Sequence, residues 1–105
     1  MAMSPTARTL AKLRKEGWLA WVVEKWIPQT QRRSDLFGFI DVLAIRGDET
    51  LGVQSTSRSN VSSRVNKIAD HENVARVREA GWIIHVHGWG KMANGRWECR
   101  TVDVS

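Results

Sequence analysis

The chain has 105 residues, 42% hydrophobic and 26% charged, which is enough for one core and unlike a disordered or membrane-embedded polypeptide. No apolar run approaches the roughly eighteen residues of a membrane span, and the N-terminus lacks a charged-then-apolar signal, so one cytoplasmic, non-membrane domain is expected over residues 1–105. A net charge of +5 favours a polyanionic partner, nucleic acid first, while a lone Cys99 excludes an internal disulfide and any multi-cysteine zinc site.

Residues 1–4 read as a loose tail. Ser4 or Thr6 then caps a helix whose first turn suits Pro5 and whose apolar side is Leu10, Ala11 and Leu13. Lys12, Arg14 and Lys15 load its last turn with cations, and Gly17 ends it. Trp18 to Ile27 reads as one strand stopped by Pro28, with Ala20, Val22, Glu24 and Trp26 on one face. Gln29 to Asp35 is a polar loop carrying the adjacent cations Arg32 and Arg33.

The stretch Ser34 to Ser59 organises the rest. Two β-forming runs, Phe39 to Ile45 and Leu51 to Val53, flank the turn Arg46-Gly47-Asp48-Glu49, and Gln54-Ser55-Thr56 prolongs the second. Asp41 interrupts the first run among Ile40, Val42 and Leu43. A carboxylate there costs several kcal/mol unless it is paired, hydrogen-bonded or bound to a metal.

Beyond the hairpin, Ser59 or Asn60 caps a helix with Val61, Val65 and Ile68 on its apolar face and Arg64, Lys67, His71 and Arg78 in a basic stripe. The apolar phase shifts after Ile68, so Asp70 either caps a second helix or marks a kink, and Gly81 closes the region. Trp82 to Val86 is a buried-type strand, Gly88-Trp89-Gly90 a turn, and Trp97 to Val104 a last strand holding Cys99 as a small hydrophobe. His85 and His87 share a strand face, where packing or a sheet-edge role competes with metal binding. Most of the six tryptophans read as core or dimer-interface anchors, with base stacking as the alternative for one or two.

Ile40-Asp41 followed by Gln54-Ser55-Thr56 on the next strand resembles the Pro-Asp and Glu-X-Lys motifs of the PD-(D/E)XK nuclease superfamily, within it the archaeal Holliday-junction resolvases and VRR-NUC-like members. The resemblance spans roughly residues 6 to 86. It implies an α/β fold with a restriction-endonuclease-like α-β-β-β-α-β core, a mixed central sheet flanked by helices, and metal-dependent hydrolysis of DNA, including branched DNA. It further implies Mg²⁺ or Mn²⁺ held by Asp41, Gln54 and the main-chain carbonyl of Ser55, with Thr56 at the position of the usual lysine. That family carries an acid on its first helix, where this chain has only Glu16 at the far end. Glu24 is therefore the candidate for a relocated ligand, against a plain surface pairing with Lys25 or an arginine. The missing lysine charge has Lys67 or Arg64 on the following helix, or Lys25, as candidate replacements. Arg32, Arg33, Arg58, Arg64 and Lys67 are the candidate phosphate contacts, and a homodimer is expected because two sites must address two strands. The competing readings are an inactive nuclease fold that binds DNA or joins an assembly, and a small α/β protein in which Asp41 is a structural acid.

Overall fold

The computed structural model describes residues 3–105. Helix α1 (Pro5–Lys15) begins where its sequence supplies a cap: the Ser4 hydroxyl accepts the Ala7 N–H at 3.1 Å, and Pro5 occupies the first turn. Ser4 therefore belongs to the fold and not to a loose tail; residues 1 and 2 of that tail lie outside the described residues. Strands β1 (Leu19–Val22), β2 (Lys25–Ile27), β3 (Arg32–Ser34), β4 (Val42–Arg46) and β5 (Glu49–Ser57) follow. A 3₁₀ turn (Arg58–Asn60), α2 (Val61–Ala69) and α3 (Val74–Glu79) then lead to β6 (Ile83–Lys91) and β7 (Trp97–Asp103).

The main sheet has the order β1-β4-β5-β6-β7, and β2 pairs with β3 in a separate ribbon. β5 and β6 are parallel, and the other neighbours in the main sheet are antiparallel. Two parallel neighbours need a crossover, which α2 and α3 supply. One face of the sheet packs Ala20, Val42, Ala44, Leu51 and Val53 against Leu13 of α1 and Trp18. The other packs Ile84 and Val86 with Phe39 and Ile40 against Val61, Ile68, Val74 and Val77 of α2 and α3. The molecule is thus a mixed five-stranded sheet flanked by helices. Among the described residues no helix is long and apolar enough to cross a membrane.

The expected strand over 18–27 breaks after Val22. The Val23 N–H still reaches the Asp41 carbonyl at 2.9 Å, but residues 36–40 then fold back on themselves. Leu36 and Ile40 exchange both backbone bonds, at 2.9 and 3.0 Å. β1 loses its partner there and the chain leaves the sheet as the β2–β3 ribbon. For the same reason the hairpin strand starts at Val42 and not at Phe39, and part of the expected polar loop 29–35 is β3.

Gly88 and Gly90 do not turn the chain; β6 runs straight through them. A Cβ on Gly88 would lie 2.1 Å from Cγ2 of Val61, and one on Gly90 would lie 2.8 Å from the Arg58 guanidinium. They mark close approach of the helical layer. Asp70 closes α2, and α3 starts only after Asn73. Trp18 is the one core tryptophan of the six: Trp21, Trp26 and Trp97 are exposed, and Trp82 and Trp89 are half-buried.

Candidate metal centre

The break in β1 and the fold-back at 36–40 bring three acidic residues to one place. Glu24 lies in the link between β1 and β2, Asp35 follows β3, and Asp41 immediately precedes β4. One carboxylate oxygen from each lies within 4.8 Å of the others, close enough to hold a metal ion. Asp41 is buried and the other two are half-buried. Among the described residues this is the one group of three or more acidic, histidine or cysteine ligands so arranged.

Asp41 is fixed by its own backbone and by β5. Its N–H donates to the Val53 carbonyl at 2.8 Å, and its Oδ2 accepts from Gln54 Nε2 and from the Ser55 N–H, each at 2.8 Å. Burial raises its carboxyl from the ordinary 3.8 to about 7. The facing Asp35 carboxyl pushes the same way, as a partner for the protonated form and as a like charge, and Glu24 adds to the repulsion. The Ser55 N–H pulls it down. Three carboxyl groups crowded at this depth are costly to ionise together without a cation.

Gln54 sharpens the point. Its Nε2 is the group that can donate to a carboxylate, so its Oε1 is left over. Oε1 is the one fully buried side-chain polar atom without a hydrogen-bond partner among the described residues. An orphaned buried acceptor costs on the order of 1–3 kcal/mol. Beside three carboxylates, a carbonyl oxygen of this kind suits a hard divalent cation. The Ser55 N–H points to Asp41, and in a strand the carbonyl of the same residue points to the same side. Thr56 is buried two residues beyond Gln54, on the same face of β5.

Of the other sequence candidates, Lys67 comes to the centre: its Nζ lies 3.8 Å from Asp35 Oδ2. Arg33 also comes, but its guanidinium donates to Glu24 Oε1 at 2.6 Å. Glu24 is therefore both a member of the acidic group and an ion-paired residue. Arg32 is exposed on β3, opposite Ile27 of β2, and Arg64 is half-buried on α2. Arg58 is engaged elsewhere, over Gly90, with Met92 Sδ at 3.3 Å and Glu98 Oε1 at 3.9 Å.

In sequence Asp35 is only the end of the polar loop before the hairpin; its place among the acids depends on the β2–β3 ribbon. A second polar group escaped sequence analysis on the opposite face. Thr9, fully buried on α1, accepts from Ser55 Oγ at 2.8 Å and from Trp89 Nε1 at 3.0 Å, and faces His87 Nδ1 at 3.1 Å. Two donors already use the Thr9 oxygen, so its single hydrogen goes to His87 Nδ1 and fixes the neutral Nε2–H tautomer. Burial lowers His87 from 6.5 to about 4, helped by the neighbouring His85 and Lys12. The one available signal was a hydroxyl four residues before Leu13 on the buried stripe of α1.

No family model, curated protein or solved structure matches this chain.

Proposed function

We propose that this domain is a Mg²⁺- or Mn²⁺-dependent endodeoxyribonuclease-like enzyme acting on DNA, branched DNA included, with Asp41, Asp35, Glu24 and Gln54 as its metal-holding groups. The observation that carries this reading is the crowding of three carboxylates beside the unpartnered Oε1 of Gln54. A divalent ion bound there supplies the Lewis acidity that activates water and neutralises charge on a scissile phosphate. Asp41 orients the site through its bonds to Gln54 and Ser55, and the Ser55 carbonyl faces the same side. Lys67 takes over the task of the lysine that Thr56 cannot perform, holding a positive charge at the edge of the acidic group. Arg32 and Arg64 lie on flanking elements and suit phosphate contacts.

With this activity goes a restriction-endonuclease-like core. The order α1, β1, β4, β5, helical crossover, β6 follows the α-β-β-β-α-β order of restriction-endonuclease-like cores, with the β2–β3 ribbon inserted after the first strand and β7 added at the end. A homodimer is supported by the apolar margin of the sheet, where Leu19, Trp21 and Ile45 are all exposed on adjacent antiparallel positions. The rival reading, a nuclease fold that binds DNA without cutting it, draws on Gln54 and Thr56 in place of an acid and a lysine.

Cleavage of labelled branched and linear DNA with Mg²⁺ or Mn²⁺ separates the two. We expect cutting by the wild type and loss of it in Asp41→Ala and, more mildly, in Lys67→Ala. DNA binding without cutting in every protein would select the rival, and neither binding nor cutting would overturn both.

A further inference from the structure

Phe37 is an expensive residue in its position. It has φ +56°, in the left-handed region, where a bulky side chain costs on the order of 1 kcal/mol or more. Gly38 follows at φ +93°, and a Cβ there would lie 2.2 Å from His71 Nε2. The loop is nonetheless held firmly: Asn73 Nδ2 donates to the Phe37 carbonyl at 3.1 Å, beside the Leu36–Ile40 bridge. Even so, Phe37 stays 45% exposed, and much of its ring faces solvent. A rigid, strained turn that presents an aromatic ring to solvent calls for a role outside the fold.

The ring borders a half-open cavity of about 340 Å³, lined by Trp82 and by Val77, Ala80, Arg76 and Asn73 from α3 and its start. Phe37 and Trp82 have ring centroids 5.7 Å apart and planes inclined by 49°. That volume lies near the small end of ligand pockets and suits one planar heterocycle. Arg76 forms none of the ion pairs found among the described residues, so its guanidinium is available to an anion. The turn that carries Phe37 also ties the cavity to the acidic centre along the chain. Asp35 lies two residues before Phe37, and its carbonyl accepts the Gly38 N–H at 3.0 Å.

We propose that the cavity between Phe37 and Trp82 receives an unstacked base of an unpaired nucleotide, with a neighbouring phosphate on Arg76. Aromatic faces hold bases without demanding a sequence, and arginine holds the backbone. An unpaired base anchored against Phe37, two residues along the chain from Asp35, would favour flaps, bulges and junctions over continuous duplex. This inference rests on the DNA-directed reading given above.

The test compares two labelled DNAs of equal length, a blunt duplex and a duplex with a single-stranded flap, by fluorescence anisotropy without divalent metal. The proteins are the wild type, Phe37→Gly and Arg76→Ala, and chemical denaturation is run on each. Glycine tolerates positive φ, so Phe37→Gly keeps the loop while removing the ring. We expect Phe37→Gly to weaken flap binding by about 10-fold to 100-fold, the range for one lost base stack, and to leave duplex binding unchanged. Arg76→Ala should weaken flap binding by a smaller factor. Unchanged flap binding in Phe37→Gly, or equal loss on both DNAs, would overturn the proposal. If the wild type still cuts duplex with metal, that outcome leaves the nuclease reading standing. A wild type that binds neither DNA would overturn both.

Discussion

Two buried polar clusters lie back to back across β5, and Ser55 belongs to both. Its N–H donates to Asp41 on the side of the acidic centre, and its hydroxyl donates to Thr9 under α1. Under α1, Thr9 uses its hydroxyl as acceptor and donor together, and Trp89, Ser55 and His87 each find a partner in it. On the other side Gln54 Oε1 has no partner, and three carboxyl groups share one place. Both clusters are costly to bury, yet only one is complete within the protein. A complete cluster explains itself by stability. An incomplete one of this composition is spaced closely enough to hold a metal ion.

That contrast makes opposite predictions for substitution on the two sides. The largest effect belongs to Thr9→Val, which keeps the shape but orphans three groups at once. It should cost on the order of 3 kcal/mol in chemical denaturation, with or without metal. A cost below about 1 kcal/mol would mean that water or side-chain rotation already satisfies these groups.

Asp41→Asn should act the other way. Asparagine keeps an acceptor for Gln54 and Ser55 and removes a charge that the folded state holds poorly. In metal-free buffer at pH 8 it should stabilise the protein by roughly 1–3 kcal/mol. The pH profile sharpens the comparison. The Asp41 carboxyl is raised from 3.8 to about 7, so its favourable contribution is full below pH 3.8 and is lost as the pH rises through 7. His87 is lowered from 6.5 to about 4, so its contribution is full above pH 6.5 and is lost as the pH falls through 4. Between these limits the two oppose each other. Asp41→Asn should therefore leave a protein whose stability rises with pH over about 4 to 6.5, and a wild-type profile of the same slope would contradict the assignment.

The sequence displayed the acidic centre only in part. Asp41 stood out because a carboxylate inside an apolar run needs a reason, and Gln54 because it continues the paired strand. Asp35 did not, since its place depends on the fold-back of residues 36–40 and on the β2–β3 ribbon, neither of which has a local signal stronger than Gly38. The run Trp18 to Ile27 has unbroken β propensity, and it breaks because its partner strand ends. Gly88 and Gly90 look like turn residues in sequence, although their cause is the close approach of Val61 and Arg58. Exposed Trp21 and Trp97 show the same limit: hydrophobicity favours burial, but coverage is decided by which elements pack on which part of the sheet.

The most direct measurement is calorimetric titration of Mn²⁺ into the metal-free wild type and Asp41→Asn at pH 7, in two buffers of different ionisation enthalpy. Asp41 titrates near that pH, so a cation arriving at the acidic centre should bind once and release a fraction of a proton. Asp41→Asn should bind at least about tenfold more weakly and release none. Equal affinity in the two proteins, or no binding by the wild type at millimolar Mn²⁺, would contradict the assignment of this cluster as a metal centre.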